Sequence, residues 1–177
     1  MQPILLNANS FKGAIQSPSF LEVTGMIDEN KIQSIVNQYL ENSDKFLIEV
    51  NVRPGNRVQV LIDGDKGVQI ADCALLTRHI EANVDRSLED YSLEVSSVGV
   101  GSPLKLKRQY PINIGRKILL VDHDLNKTTG KLVEVVEEGV KIELKPSASD
   151  KKAKSGTPEI VFVPFSAIKE ARIQVSF

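Results

Sequence analysis

Few side chains in this sequence can do chemistry, and their spacing decides what each is good for. His79, His123 and Cys73 are the whole stock of imidazole and thiol ligands in 177 residues. A zinc centre takes three or four such ligands at short, regular spacings. His79 has Asn83 where a helical partner ligand would stand, and His123 lies in the polar run Asp122-His123-Asp124. Both histidines are read as surface or capping residues, and Cys73 as a small core residue. Asp63, Asp65 and Gly67 resemble the opening of a calcium loop, but the twelfth position, which needs a bidentate glutamate, is Ala74, so a plain turn is expected. Ser102 and Lys105 have the Ser-x-x-Lys spacing of some acyl-transfer nucleophiles. That spacing puts both groups on one face only in a helix, which Pro103 disfavours. Gly99-Val100-Gly101 follows a strand pattern as a dinucleotide loop would, yet Leu104 replaces the third glycine and no helix opens to hold a phosphate. No catalytic group, metal or cofactor is therefore expected.

What remains is a place where a macromolecule could dock. Tyr91–Ser97 reads as a strand, runs into Val98-Gly99-Val100-Gly101-Ser102, meets Pro103 and lands on basic residues. Glycines remove the Cβ obstruction and let the backbone approach another surface closely. From Val95 to Val121 there is no acid, and five bases: Lys105, Lys107, Arg108, Arg116 and Lys117. Such a seam can approach phosphates even in a chain of net charge −1. The candidate partner-binding residues are thus Ser96, Ser97, Gly99, Gly101, Pro103, Lys105, Lys107, Arg108, Arg116 and Lys117; an ordinary solvated linker would have the same appearance.

The elements around this seam fall into two patterns. Asp28 is a good N-cap, and Ile32, Ile35, Val36, Tyr39 and Leu40 follow at helical spacing to about Glu41. Phe46–Val52 and Val58–Ile62 alternate apolar and polar about Pro54-Gly55-Asn56, predicting a β-hairpin. A second helix is predicted from about Ala71 to Val84, with Cys73, Ala74, Thr77, Ile80 and Val84 on its apolar side, and then a strand through Tyr91, Leu93 and Val95. The order α-β-β-α-β predicts two helices layered on a three-stranded sheet. After Pro111 only strands are predicted: Arg116–Val121, Thr128–Glu137, Gly139–Lys145, Glu159–Phe165 and Ala171–Val175, with one helical turn at Ser166–Ile168. Five short strands in so few residues suggest a closed SH3-like barrel.

The fold class is therefore α+β: residues 26–110 form an N-terminal α/β domain and residues 111–177 a C-terminal barrel. Residues 1–25, which carry only Lys12 and Glu22 as charges, are read as an extension, with Met26 as an alternative start. Pro146–Pro158, rich in Ser, Lys and Ala, is expected to be a mobile loop. A single cysteine rules out an internal disulfide framework, no apolar run is long enough to span a membrane, and the first residues lack a basic stretch before a hydrophobic one. A cytoplasmic location is the expectation.

The junction also carries a family resemblance. Leu93-Glu94-Val95-Ser96-Ser97-x-Gly99, followed by Pro103-Leu104, is similar to the signature of the bacterial ribosome maturation factors called RimP, commonly written Leu-Glu-Val-Ser-Ser-Pro-Gly and then Arg-Pro-Leu. Gly115-Arg116-Lys117, Gly130-Lys131-Leu132 and Val163-Pro164-Phe165-x-x-Ile168-x-x-Ala171-Arg172-Ile173 resemble later segments of the same family, so the likeness runs across Met26–Phe177. It implies an N-terminal α/β domain, a C-terminal SH3-like barrel, and binding to the immature small ribosomal subunit through ribosomal RNA and the twelfth small-subunit ribosomal protein, without catalysis or cofactor; a monomer is expected. Val98 departs from the signature's proline, and Gly101-Ser102 stand where an acid and an arginine are usual. A free-standing RNA-binding module is the alternative reading, and an enzyme would need converging ionisable groups that the sequence does not offer.

Overall fold

The computed structural model describes residues 27–85, 90–144 and 158–175. The predicted extension at 1–25 and nearly all of the predicted loop at 146–158 lie outside them. Helix α1 (Glu29–Leu40) starts where Asp28 accepts a hydrogen bond from the Asn30 amide at 2.9 Å, an N-cap that satisfies one orphan donor. Ile32, Val36 and Leu40 form its buried stripe. Strands β1 (Lys45–Arg53) and β2 (Arg57–Gly64) make the predicted hairpin. Helix α2 (Ile70–Asn83) then carries the chain across to β3 (Ser92–Ser97), which pairs parallel to β2 in the order β1-β2-β3. Parallel neighbours need such a crossover, because a tight turn cannot reverse the chain twice.

Both helices lie on one face of this sheet. Val50, Val58, Val60 and Ile62 from the strands meet Ile32 and Val36 of α1 and Leu76 and Ile80 of α2. Complete burial of an aliphatic side chain of this size contributes about 1.5–3 kcal/mol. The stripe on α2 differs from the predicted one. Leu76 is fully buried while Ala74 is exposed, and Ile70 and Leu75 also face solvent. The helix is apolar on several sides, so periodicity alone chose the wrong neighbour.

A second core gathers Ile118, Leu120, Leu132, Val140, Ile142, Ala171 and Ile173. Its strands are β4 (Lys117–Asp122), β5 (Lys127–Val135), β6 (Gly139–Leu144), β7 (Glu159–Pro164) and β8 (Ile168–Gln174), with a single 3-10 turn at Phe165–Ala167 before the last. They form one antiparallel sheet ordered β7-β6-β5-β4-β8. The predicted closure is not found: β7 and β8 stand at opposite ends of the ladder and do not pair. The free side of β8 is taken instead by the linker, where Pro103 bridges to Arg172 and the Leu104 amide donates to the Ala171 carbonyl at 2.8 Å. Tyr110 and Leu104 also pack into this second core, so the chain from Pro103 onward travels with the C-terminal sheet. Among the described residues no helix is long and apolar enough to cross a membrane.

Candidate docking site at the domain junction

The two cores meet across a cleft of about 390 Å³. One wall is the turn after β2, Asp63–Val68; the loop leaving β3, Ser97–Ser102, forms the floor; Gln109, Asn113 and Arg116 close the other side. The floor is shaped by its backbone. The Val98 amide donates to the Ile62 carbonyl at 3.1 Å, extending the pairing with β2 by one step, and the Ser102 amide donates to the Gly99 carbonyl at 3.1 Å, closing a turn. Gly101 in that turn has φ +86°, a conformation that side chains with a Cβ resist. No helix follows, so the glycine pair is a turn and not a dinucleotide cradle. Val100 projects from the turn, three-quarters exposed.

The linker after this loop clamps the two sheets together. The Arg108 guanidinium donates twice to Asp65, Nε to Oδ1 at 2.9 Å and Nη2 to Oδ2 at 2.6 Å, and lies 4.4 Å over the Phe46 ring. Lys105 Nζ meets Glu49 Oε2 at 2.5 Å. Between them Gln109, only 1% exposed, donates from Nε2 to Asp63 Oδ2 at 2.8 Å. Its Oε1 accepts from the Lys105 and Leu106 amides at 2.8 and 3.0 Å. One buried amide thus caps the linker's own 3-10 turn (Lys107–Gln109) and holds the end of β2. The hydrogen bond from Lys105 keeps the Glu49 carboxyl below its ordinary range despite partial burial, and the guanidinium of Arg108 does the same for Asp65. These charge pairs are partly exposed, so the buried glutamine is the firmer contact.

The predicted residues therefore separate. Ser97, Gly99, Gly101 and Arg116 line the cleft. Lys105 and Arg108 belong to the clamp. Pro103 edges β8, and Ser96 sits half-buried in β3 opposite Leu61. Lys107 reaches toward the C-terminal sheet, with Nζ 4.7 Å from the Phe165 ring centroid and donating to the Glu137 carbonyl at 3.4 Å. Arg116 is steadied by Asn113, whose Oδ1 accepts from its Nη1 at 3.3 Å. Lys117 is exposed on β4 directly across from Lys131. Sequence reasoning missed Glu49, Asp63 and Asp65 as partners of the basic seam, and Gln109 as its pivot. A polar residue inside a basic run gives no sign that it will be buried.

The other candidates resolve as turns and packing. Asp63 and Asp65 are spent on the clamp, and among the described residues no group of three or more metal-ligating side chains comes together. His79 stacks on Tyr39 with ring centroids 4.5 Å apart, joining α2 to α1. His123 Nε2 lies 3.1 Å from the Ser166 carbonyl. Burial and the neighbouring Asp72 carboxylate raise the Cys73 thiol above its ordinary range.

Known proteins resemble this chain in sequence. Residues 35–101, from α1 to the cleft floor, match the family model described as the RimP N-terminal domain. A ribosome maturation factor RimP from Porphyromonas gingivalis is 43% identical over 82% of this chain and 97% of its own length. The chain belongs to the RimP family. RimP proteins from Christiangramia forsetii, 34% identical over 84% of this chain and 99% of theirs, and from Flavobacterium psychrophilum, 36% identical over 86% and 100%, extend the match. These matches span more than four-fifths of this chain, so the clamp falls within the shared region.

Proposed function

We propose that this protein is a maturation factor for the small ribosomal subunit: a non-enzymatic, cytoplasmic monomer that docks transiently on immature subunits. The observation that carries the reading is the near end-to-end match to proteins named ribosome maturation factor RimP. Ribosomal RNA and the twelfth small-subunit ribosomal protein are the partners. The docking surface is the junction, where Ser97, Gly99, Gly101 and Arg116 offer close backbone approach beside a cation, and Lys107 and Lys117 flank them. Ser96 and Pro103 shape the approach. Lys105 and Arg108 reach phosphates only by leaving Glu49 and Asp65, so they contribute when the domains reorient on the subunit. The domains divide in the linker that ends near residue 110, and the second is of the SH3-like kind, left open between β7 and β8; a four-strand meander, a 3-10 turn and a fifth strand returning beside the first support that assignment.

Sedimentation of a cell lysate at low and high salt tests the reading. Co-migration with free small subunits, absence from translating ribosomes and release by salt are expected. Tight binding to naked RNA with no association with subunits would instead make it a free-standing RNA-binding module and overturn the assignment.

A further inference from the structure

The sheet of the N-terminal domain has helices on one face only, and the clamp covers just part of the other. At the uncovered end, Arg53 and Arg57 face each other as the last pair of the β1–β2 ladder. Like charges directly opposite in a sheet repel and destabilise it. Among the described residues neither guanidinium has a carboxylate partner; Arg57 Nε only donates to the Pro54 carbonyl at 3.4 Å. The two arginines border a second hollow of about 320 Å³ whose other polar walls are Gln59, Ser92 and Glu94.

The hairpin tip that carries the arginines is fixed at three points by one residue. Asn56 Oδ1 accepts from the Ile27 amide at 3.2 Å, its Nδ2 donates to the Asp90 carbonyl at 3.1 Å, and its carbonyl accepts from the Ser92 amide at 3.1 Å. The start of α1, the hairpin and the start of β3 are therefore tied together behind the arginines. Two repelling cations on a fixed backbone form an anion site whose support need not be ordered on binding.

We infer that this end of the sheet binds a single-stranded segment of RNA, with Arg53 and Arg57 on successive backbone phosphates. Glu94, which also has no ion-pair partner among the described residues, disfavours a purely acidic ligand. It accepts hydrogen bonds from the hydroxyl and amino groups that an RNA strand presents beside its phosphates. The inference rests on the ribosomal reading above and adds a second contact, on the N-terminal domain and away from the junction cleft.

The test compares wild type with R53Q/R57Q across a potassium chloride series, using immature small subunits and, separately, a single-stranded RNA of mixed sequence. The double variant should bind both on the order of tenfold or more weakly at low salt, and the slope of log K against log salt should shrink by about 1.4, as two phosphate contacts on a single strand require. Its thermal midpoint should be unchanged or raised, because a repulsion has been removed. A variant that keeps wild-type RNA affinity and slope overturns the inference, even if its binding to a protein partner falls. Wild type that ignores subunits at every salt overturns the ribosomal reading, and the RNA series then still decides the arginine pair.

Discussion

Replacing Gln109 by leucine removes the pivot of the clamp while nearly preserving its volume. Three side-chain hydrogen bonds disappear, two from backbone amides and one to the Asp63 carboxylate, at a site that is 1% exposed. Neutral bonds of this kind contribute about 1 kcal/mol each and one to a charged group about 1.5–3 kcal/mol, so Gln109→Leu should cost about 3–5 kcal/mol. Part of that loss is local, in the 3-10 turn, and part lies between the domains. Gln109→Glu separates the two, since its carboxylate still accepts from the Lys105 and Leu106 amides but opposes Asp63. Urea unfolding followed by hydrogen exchange in each domain is the assay. In wild type the two sets of exchange-protected amides should open together, whereas in Gln109→Leu they should open in separate transitions. A leucine variant that loses less than about 1 kcal/mol, or whose domains still open as one unit, would refute the claim that this amide couples them.

Acid should loosen the same clamp. The Glu49 and Asp65 carboxyls are held below their ordinary range by Lys105 and Arg108. Their contribution is thus present above the unfolded carboxylate pKa and lost as pH falls through the depressed folded values, below about pH 4. Fluorescence transfer between labels on the two domains should fall in that window, and E49Q/D65N should have weakened transfer already at neutral pH. Equal transfer for both proteins at all pH values would count against the clamp. Gly139→Ala should destabilise the second domain by about 1–3 kcal/mol, because the new Cβ would sit 2.3 Å from the Val163 carbonyl oxygen and 2.7 Å from Pro164 Cα; a thermal midpoint equal to wild type would show that β7 yields there freely.

The local rules read most of the elements correctly and the long-range contacts poorly. The Asp28 cap, the alternation in Phe46–Val52 and the Pro54-Gly55-Asn56 turn gave α1 and the first hairpin within a residue or two, because capping, pleat and turn chemistry act over a few positions. On α2 the reading chose Ala74 over Leu76, since exposed Ile70 and Leu75 spread apolar side chains around the helix. Closure of the second sheet was not legible, because it depended on whether β7 or the linker would occupy the outer side of β8. The glycine turn and basic run of the docking site were visible, but their acidic counterparts lie 43 to 56 residues away at Asp65, Asp63 and Glu49, beyond any spacing rule. The arginine pair was passed over for the same reason: Arg53 and Arg57 become neighbours only once the hairpin register is known.

The two margins of the second sheet are unlike. Along β8 the linker lies as a selvedge, with Pro103 and Leu104 already pairing with Arg172 and Ala171. Along β7, where Ile160 and Phe162 are exposed, no strand among the described residues occupies the outer side. Fibre growth by strand addition needs a bare rim at both ends of the sheet. With β8 closed by the linker, strand addition that begins at β7 cannot continue through β8 and ends at a pair.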